Sequence, residues 1–216
     1  MYLISFFILV FLLGGIPFGL LISRYWLKID IRQQGSGNIG MTNVTRVGGK
    51  LPGLLTFVLD FSKGSVAVLL AKTIIPALVI DFETHKIFLS LAGDIVVCGH
   101  VFSVFLCFKG GKGISTLFGV LAVLHLNIGI CAAIVWFVVF FWKRISSLSG
   151  ITMLTALPWL FLLIPWVKNE SHVWPVFFLF LLLSSLLIYK HLENLKRLLK
   201  GQENQLSSSN NNDLHN

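Results

Sequence analysis

Charge is the scarcest commodity in this chain. Only 12% of its 216 residues are Asp, Glu, Lys or Arg, against 56% hydrophobic residues and a mean hydropathy of +0.85. That balance excludes an ordinary soluble globule and points to membrane helices. Acidic residues are scarcer still, nine against seventeen basic ones. Cysteine is almost missing. Cys98, Cys107 and Cys131 have no paired spacing and lie in apolar sequence, so neither a disulfide framework nor a metal site is implied. No Lys or Arg precedes the first apolar run, residues 2–23. The basic start of a cleavable signal peptide is therefore lacking, and the run reads as a retained helix.

What is abundant is apolar sequence in long runs. After 2–23 they cover about 65–80, 87–106, 114–142, 150–166 and 174–189. A span needs roughly 20 such residues. The polar stretches 24–50, 107–113, 143–149 and 190–200 hold thirteen of the seventeen Lys and Arg. The positive-inside rule puts all four on one side, and their short-loop setting argues against nucleic acid as a partner. They can share a side only if 114–142 crosses twice, turning within VLHLNIG (123–129), where His125, Asn127 and Gly129 interrupt the run. Each leg would be short, about 11 to 14 residues, hence tilted or in thinned bilayer. A single crossing of 114–142 would split the basic stretches. The expected fold is an all-α polytopic membrane protein, a bundle of about seven transmembrane helices with the N-terminus outside and the C-terminus cytoplasmic. Residues 1–204 form the membrane domain. The polar tail 205–216 cannot bury enough surface to fold and is expected to be disordered.

The polar stretches carry the chemistry. Gly35-Ser36-Gly37-Asn38-Ile39-Gly40 spells a dinucleotide-like G-x-G-x-x-G, but no strand precedes it, so that fold is excluded. No Walker motif exists either: Lys50 and Lys112 follow glycines, but neither precedes Ser or Thr. Gly35, Gly37 and Gly40 can still turn successive N–H groups toward one point, an anion nest. Ser36, Asn38, Thr42 and Asn43 add donors, and Arg46 adds a fork suited to phosphate. A second cradle is Lys109-Gly110-Gly111-Lys112-Gly113, which opens the helix at Ile114. His100 precedes it within an apolar run, where a lone histidine is more often a packing residue. A third stretch runs from Lys190 through His191 and Asn194 to Gly201. His191 and Asn194 share a helix face, and Glu193 and Arg197 are spaced for a surface pair. Asp60 with Lys63, and Lys143-Arg144 with Ser146, Ser147 and Ser149, add weaker signals. Together they suit a substrate with phosphate in the cytosol and an acyl chain in lipid.

Three of these stretches resemble one family. GSGNIGMTN (35–43), GHVFSVFLCFKGGKGIST (99–116) and HLENLKRLLKGQE (191–203) are similar, in order, to the signatures of the bacterial PlsY membrane acyltransferases. Met41 stands for the usual alanine, Ser103 for proline and Leu195 for isoleucine. Asp94, inside an apolar run, is not a family feature and should face the bundle interior. The resemblance implies seven helices in the bacterial inner membrane and an active site facing the cytoplasm. It implies transfer of an acyl group from acyl-phosphate to the 1-hydroxyl of glycerol-3-phosphate, giving lysophosphatidic acid and phosphate. It implies no cofactor and no metal, and a soluble acyl-phosphate-forming enzyme as supplier. By motif position, Ser36, Gly37, Asn38 and Thr42 would hold the acyl-phosphate head. Arg46, Lys112, His191 and Asn194 would bind phosphate or organise the reacting centre, with Ser146 and Ser149 assisting. Gly35, Gly40, Asn43, His100, Lys109, Gly110, Gly111 and Glu203 complete the implied binding set.

Acyl-phosphate is already activated, so catalysis reduces to holding two anions and stabilising an oxyanion. The attacking hydroxyl's proton has two candidate acceptors, His191 and the substrate phosphate. The phosphate is favoured, because no carboxylate sits clearly beside the histidine. The His–Asp dyad of commoner glycerolipid acyltransferases is lacking: position five after His85, His100, His125, His172 and His191 holds Ser90, Phe105, Ile130, Phe177 and Lys196. A transporter of phosphorylated lipid is the alternative from another class. Basic loops and Asp94 would serve it, and the lack of paired broken spans in two halves counts against it.

Overall fold

The computed structural model describes residues 1–79, 81–167 and 173–203. The described chain forms helices α1 (Tyr2–Gly15), α2 (Phe18–Tyr25), α3 (Met41–Gly48), α4 (Lys50–Leu78), α5 (Phe82–Val101), α6 (Ile114–Leu124), α7 (Leu126–Lys143), α8 (Ser146–Val167), α9 (Val173–Lys190) and α10 (Leu192–Leu199). The tail 205–216, expected to be disordered, lies outside the described residues.

Pro17 splits the first apolar run. Its ring and missing N–H end α1 and restart the chain as α2. The break leaves the carbonyls of Gly15 and Ile16 in need of donors. Ser103 Oγ donates to the first at 2.5 Å, and Lys63 Nζ to the second at 3.0 Å. Ser103 holds φ at −58°, a value proline itself adopts. The hydroxyl thus replaces proline without moving the backbone and adds a tie between α1 and the loop after α5.

The second helix of the bundle begins earlier than its apolar run. α4 starts at Lys50, not near 65, and passes straight through Asp60 and Lys63. The two charges hid it. They pair at 2.8 Å within one helical turn and are 2% and 1% exposed, so each removes the other's cost.

The turn expected within 123–129 is present, at His125. The legs are unequal, because the break falls at the start of that stretch. α6 has 11 residues and α7 has 18. At 1.5 Å per residue α6 rises about 16 Å, roughly half the hydrocarbon thickness. Among the described residues, five helices are long and apolar enough to cross a membrane, or six if α9 and α10 form one bent span.

Glycines set the helix packing. A Cβ on Gly64 would collide with the Thr116 carbonyl, and one on Gly119 with the Phe61 carbonyl, so α4 and α6 touch backbone to backbone. Ser65 Oγ donates to the Gly119 carbonyl across the same seam at 3.0 Å. Gly14 and Gly99 do likewise where α1 meets α5. Such small-residue seams are how helices bind where lipid removes the hydrophobic drive. α8 packs between α7 and α9, and Phe161 stacks on Phe180 with centroids 3.9 Å apart. α4 and α7 both pack on the short α6, which leaves a groove between them. Asp94 faces inward as expected of an intramembrane acid, 8% exposed, and its Oδ1 has no hydrogen-bond partner among the described residues.

At His191 the chain bends by 57° into α10. This helix docks on α8 and α9, yet Leu199 stays 82% exposed. The expected Glu193–Arg197 pair does not form. Glu193 takes Lys196 at 2.8 Å, and Arg197 turns inward to Glu203 at 2.8 Å.

Candidate active site

The three polar stretches meet at one cavity of about 490 Å³. One end is built from loops and helix starts, the other from apolar faces.

The 34–40 loop supplies the first wall. Gly35 and Gly37 take φ of +59° and +70°, which side chains resist. Asn43, buried on α3, cinches the loop. Its Oδ1 accepts from Ser36 N–H at 2.8 Å, and its Nδ2 donates to the carbonyls of Gln34 at 2.9 Å and Asn38 at 3.0 Å. Its amide hydrogens are therefore spent on the loop, while Asn43 also lines the cavity. Ser36, Asn38, Gly40, Thr42 and Arg46 face the cavity. Thr42 Oγ1 lies 3.0 Å from Ser146 Oγ, tying α3 to α8.

The second wall is the loop before α6. Gly113, with φ +81°, turns the chain into the helix. Lys112, Gly113, Ile114 and Ser115 line the cavity, so the start of α6 points its free N–H groups and partial positive charge inward. Lys109 is exposed, and Gly110 and Gly111 are folded back onto His100 and Val101, their N–H groups bonded to those carbonyls at 3.1 Å.

The third wall is a chain of hydrogen bonds from α10. Lys112 Nζ donates to Asn194 Oδ1. Asn194 Nδ2 donates to Glu203 Oε1 at 2.6 Å, where Ser147 Oγ also donates at 2.7 Å. Arg197 Nε donates to Oε2 at 2.8 Å. Burial opposes ionisation of Glu203, but these bonds outweigh it and hold the carboxyl below its usual range. His191 Nδ1 lies 2.7 Å from the Leu187 carbonyl. A carbonyl only accepts, so Nδ1 carries the proton and Nε2 keeps the lone pair. Burial first, then the Lys112 charge, push His191 down to about 4.

Sequence reasoning named His191, Asn194, Lys112, Arg46, Ser146 and Glu203, and these come together here. Ser149 is set apart: it is buried and bonded to the Ile145 carbonyl at 3.0 Å. Gly35, Gly37, Lys109, Gly110 and Gly111 shape the loops from behind the wall. Asp60 and Ser147, only weaker signals in the sequence, are on the wall, and so is Arg197, which its spacing assigns to a surface pair. Arg197 had a signal, since it lies three residues after Asn194 and so shares its face.

Electrostatically the polar end is unbalanced. Lys112, Arg46 and Arg197 gather about the Glu203 carboxylate, while the other carboxylate on the wall, Asp60, is paired with Lys63. Burial, with Arg197 and Arg46 adding repulsion against the pull of Glu203, pushes Lys112 down to about 8. From this end the cavity continues between Leu54, Phe57 and Phe61 of α4, Phe118 and Ala122 of α6, and Ile130, Ala133 and Phe137 of α7. An anion cradle opening into an apolar groove fits an amphiphile with a charged head.

The glycerol-3-phosphate acyltransferase family model matches residues 4–201. The chain belongs to this family. The glycerol-3-phosphate acyltransferase of Aquifex aeolicus (strain VF5) is 40% identical over 199 residues, covering 92% of this chain and 96% of that one. The enzyme of Ehrlichia canis (strain Jake) is 39% identical over 202 residues, 94% and 97% of the two chains. The crystal structure of PlsY, described as an integral membrane glycerol 3-phosphate acyltransferase in its glycerol 3-phosphate form, superposes with a TM-score of 0.81 at 36% identity over 96% of both chains. Its lysophosphatidic acid form gives a TM-score of 0.78 at 35% identity, again over 96% of both. The chain is thus a multi-pass membrane acyltransferase of the glycerol-3-phosphate family, as its three motifs implied.

The Lys112 environment makes a pH prediction. If Lys112 holds a substrate phosphate, binding needs the ammonium. A folded-state value lowered to about 8 means the charge is complete well below pH 8 and is lost as pH rises through it. The kcat/KM of the free enzyme should therefore fall about tenfold per pH unit above roughly 8. Bound phosphate favours the proton, so the limb in kcat should lie further alkaline. In Lys112→Arg, whose guanidinium does not titrate there, the limb should vanish.

Proposed function

We propose that the protein transfers an acyl group from acyl-phosphate to the 1-hydroxyl of glycerol-3-phosphate, releasing phosphate and lysophosphatidic acid. The observation that carries this reading is the single cavity in which three cations and a helix start sit at one end of an apolar groove. The acyl tail occupies the α4–α6–α7 groove. Its phosphate lies against the 36–42 segment and the start of α6. Glycerol-3-phosphate takes the Arg46, Lys112 and Asn194 side.

The hydroxyl oxygen attacks the acyl carbon, the carbon–oxygen bond to phosphate breaks, and phosphate leaves. Preorganised N–H and cationic donors stabilise the oxyanion between these events. The hydroxyl's proton passes to a substrate phosphate oxygen. In support, His191 is poised far below neutrality, which makes it a weak base, while its lone-pair nitrogen can still accept a bond that orients the hydroxyl.

The same reading places seven crossings in the bacterial inner membrane, with α1 and α2 as one and the short α6 as another. The N-terminus is then outside, and the basic stretches and the cavity's polar end are cytoplasmic. Residues 1–204 make up the catalytic domain, and the donor comes from a soluble acyl-phosphate-forming enzyme.

Purified protein in detergent tests the donor. With glycerol-3-phosphate present, acyl-phosphate should be consumed with stoichiometric phosphate and lysophosphatidic acid. Acyl-CoA and acyl-carrier protein should give turnover at least about 10²-fold slower, since neither presents the phosphate these donors are placed to hold. Equal rates with acyl-CoA would overturn the assignment.

A further inference from the structure

Asp60 and His100 line the cavity from inside the bundle with Lys63 behind them, and the reaction above gives the three no task. Asp60 and Lys63 lie one turn apart on α4, and His100 closes α5. Their side chains are 2%, 1% and 4% exposed. The Lys63 ammonium donates to His100 Nδ1 at 2.8 Å and to the Ile16 carbonyl at 3.0 Å, and it pairs with Asp60 Oδ1 at 2.8 Å as a charge contact without hydrogen-bond geometry. An ammonium has no lone pair, so Nδ1 must accept, and the ring proton sits on Nε2. Asp60 Oδ1 is 3.5 Å from Nδ1, too far to claim a proton there. Nε2 lies against the Gly111 backbone, so close that a Cβ on Gly111 would collide with it. His100 is on the cavity wall, and its Nε2–H has no protein acceptor among the described residues.

We propose that Lys63, itself held by Asp60, fixes His100 as the Nε2–H tautomer and so aims a neutral N–H donor at an anionic oxygen of the bound substrate. His100, which the family resemblance places in the binding set, thereby gains a defined donor atom, and Lys63 and Asp60 are positioning residues. The charge-neutral donor suits this depth, where a further cation would be costly to bury. The assignment rests on the head-group placement under Proposed function.

Nitrogen-15 NMR of histidine-labelled protein in detergent reads the tautomer directly. The His100 signals are identified by their loss in His100→Gln. The wild-type spectrum should show Nε2 protonated and Nδ1 bare. Lys63→Met should move the proton to Nδ1, where Asp60 becomes its acceptor. Kinetics supply the second arm. Gln places an amide N–H near the Nε2 position, so His100→Gln should keep kcat/KM within about tenfold, while His100→Phe loses about 10²-fold. Lys63→Met should cost about tenfold or more in the wild type and under about twofold in His100→Gln, because both changes act through one bond. A wild-type ring protonated on Nδ1, or costs that simply multiply, would overturn the proposal. The tautomer is read in the wild type, so an unfolded Lys63→Met does not block the test. It also does not depend on the donor: failure of acyl-phosphate as substrate would appear in the wild-type assay and leave the spectrum unchanged.

Discussion

Replacing Lys112 with alanine is expected to lower kcat/KM by about 10³-fold while the protein remains folded and membrane-embedded. The size follows from what the ammonium faces. It is partly buried among Arg46, Arg197 and Glu203 and is held by Asn194, so its position is set before substrate arrives. A preorganised charge in a water-poor site is worth about 10²–10³ in rate when only an oxyanion is stabilised. In the proposed reaction the same group also holds substrate phosphate, which places the loss at the upper end. Asn194→Ala should approach the same loss without removing any charge. It frees Lys112 from its anchor and takes one of the donors from Glu203. The double variant should be hardly worse than Lys112→Ala alone, because the residues act as one unit. Phosphate release from acyl-phosphate with glycerol-3-phosphate measures all three. An Asn194→Ala enzyme within about tenfold of wild type would remove Asn194 from the reacting centre.

The site was more legible in the sequence than the bundle that holds it. Gly35 and Gly37 announced a turn that no other residue makes easily, and the loop has that turn. Gly113 before an apolar run announced a helix start aimed at an anion. Asn43 reads as a ligand donor in the sequence; it lines the cavity, but its amide hydrogens go to the loop carbonyls and its oxygen takes the Ser36 N–H. Asp60 and Lys63 misled. Two charges in a short stretch delayed the apolar run to about 65, and hydropathy sums cannot know that the charges pair inside a helix. Arg197 was read against Glu193 by its spacing of four. Glu203 outcompeted Glu193 because its carboxylate is already fixed by Asn194 and Ser147. Pairwise spacing rules describe one helix; a partner arriving from beyond its end lies outside them.

The largest structural effect is expected at Gly119, a residue that touches no substrate. Gly119→Leu should abolish recovery of monodisperse protein and its cooperative thermal unfolding in detergent. A Cβ there would collide with the Phe61 carbonyl, which is backbone and cannot rotate away. The helices would have to separate, breaking the Ser65 bond across the seam and the opposing contact of Gly64 with Thr116. Overpacking in a core costs about 1–3 kcal/mol when side chains can adjust, and here they cannot. Gly129→Ala is the comparison. On that residue a Cβ first meets the Leu121 side chain at 3.2 Å, a contact that a small shift relieves, so unfolding should move by only a few degrees. The difference matters for catalysis because α6 is too short to hold itself in the bilayer. On the α4 side its closest approach is the Gly64–Gly119 seam, backed by the Lys72 bond to the Val123 carbonyl, and its start places Gly113, Ile114 and Ser115 on the cavity wall. Normal unfolding of Gly119→Leu would mean that α6 is located by something other than α4, and the geometry of the cradle would then need another cause.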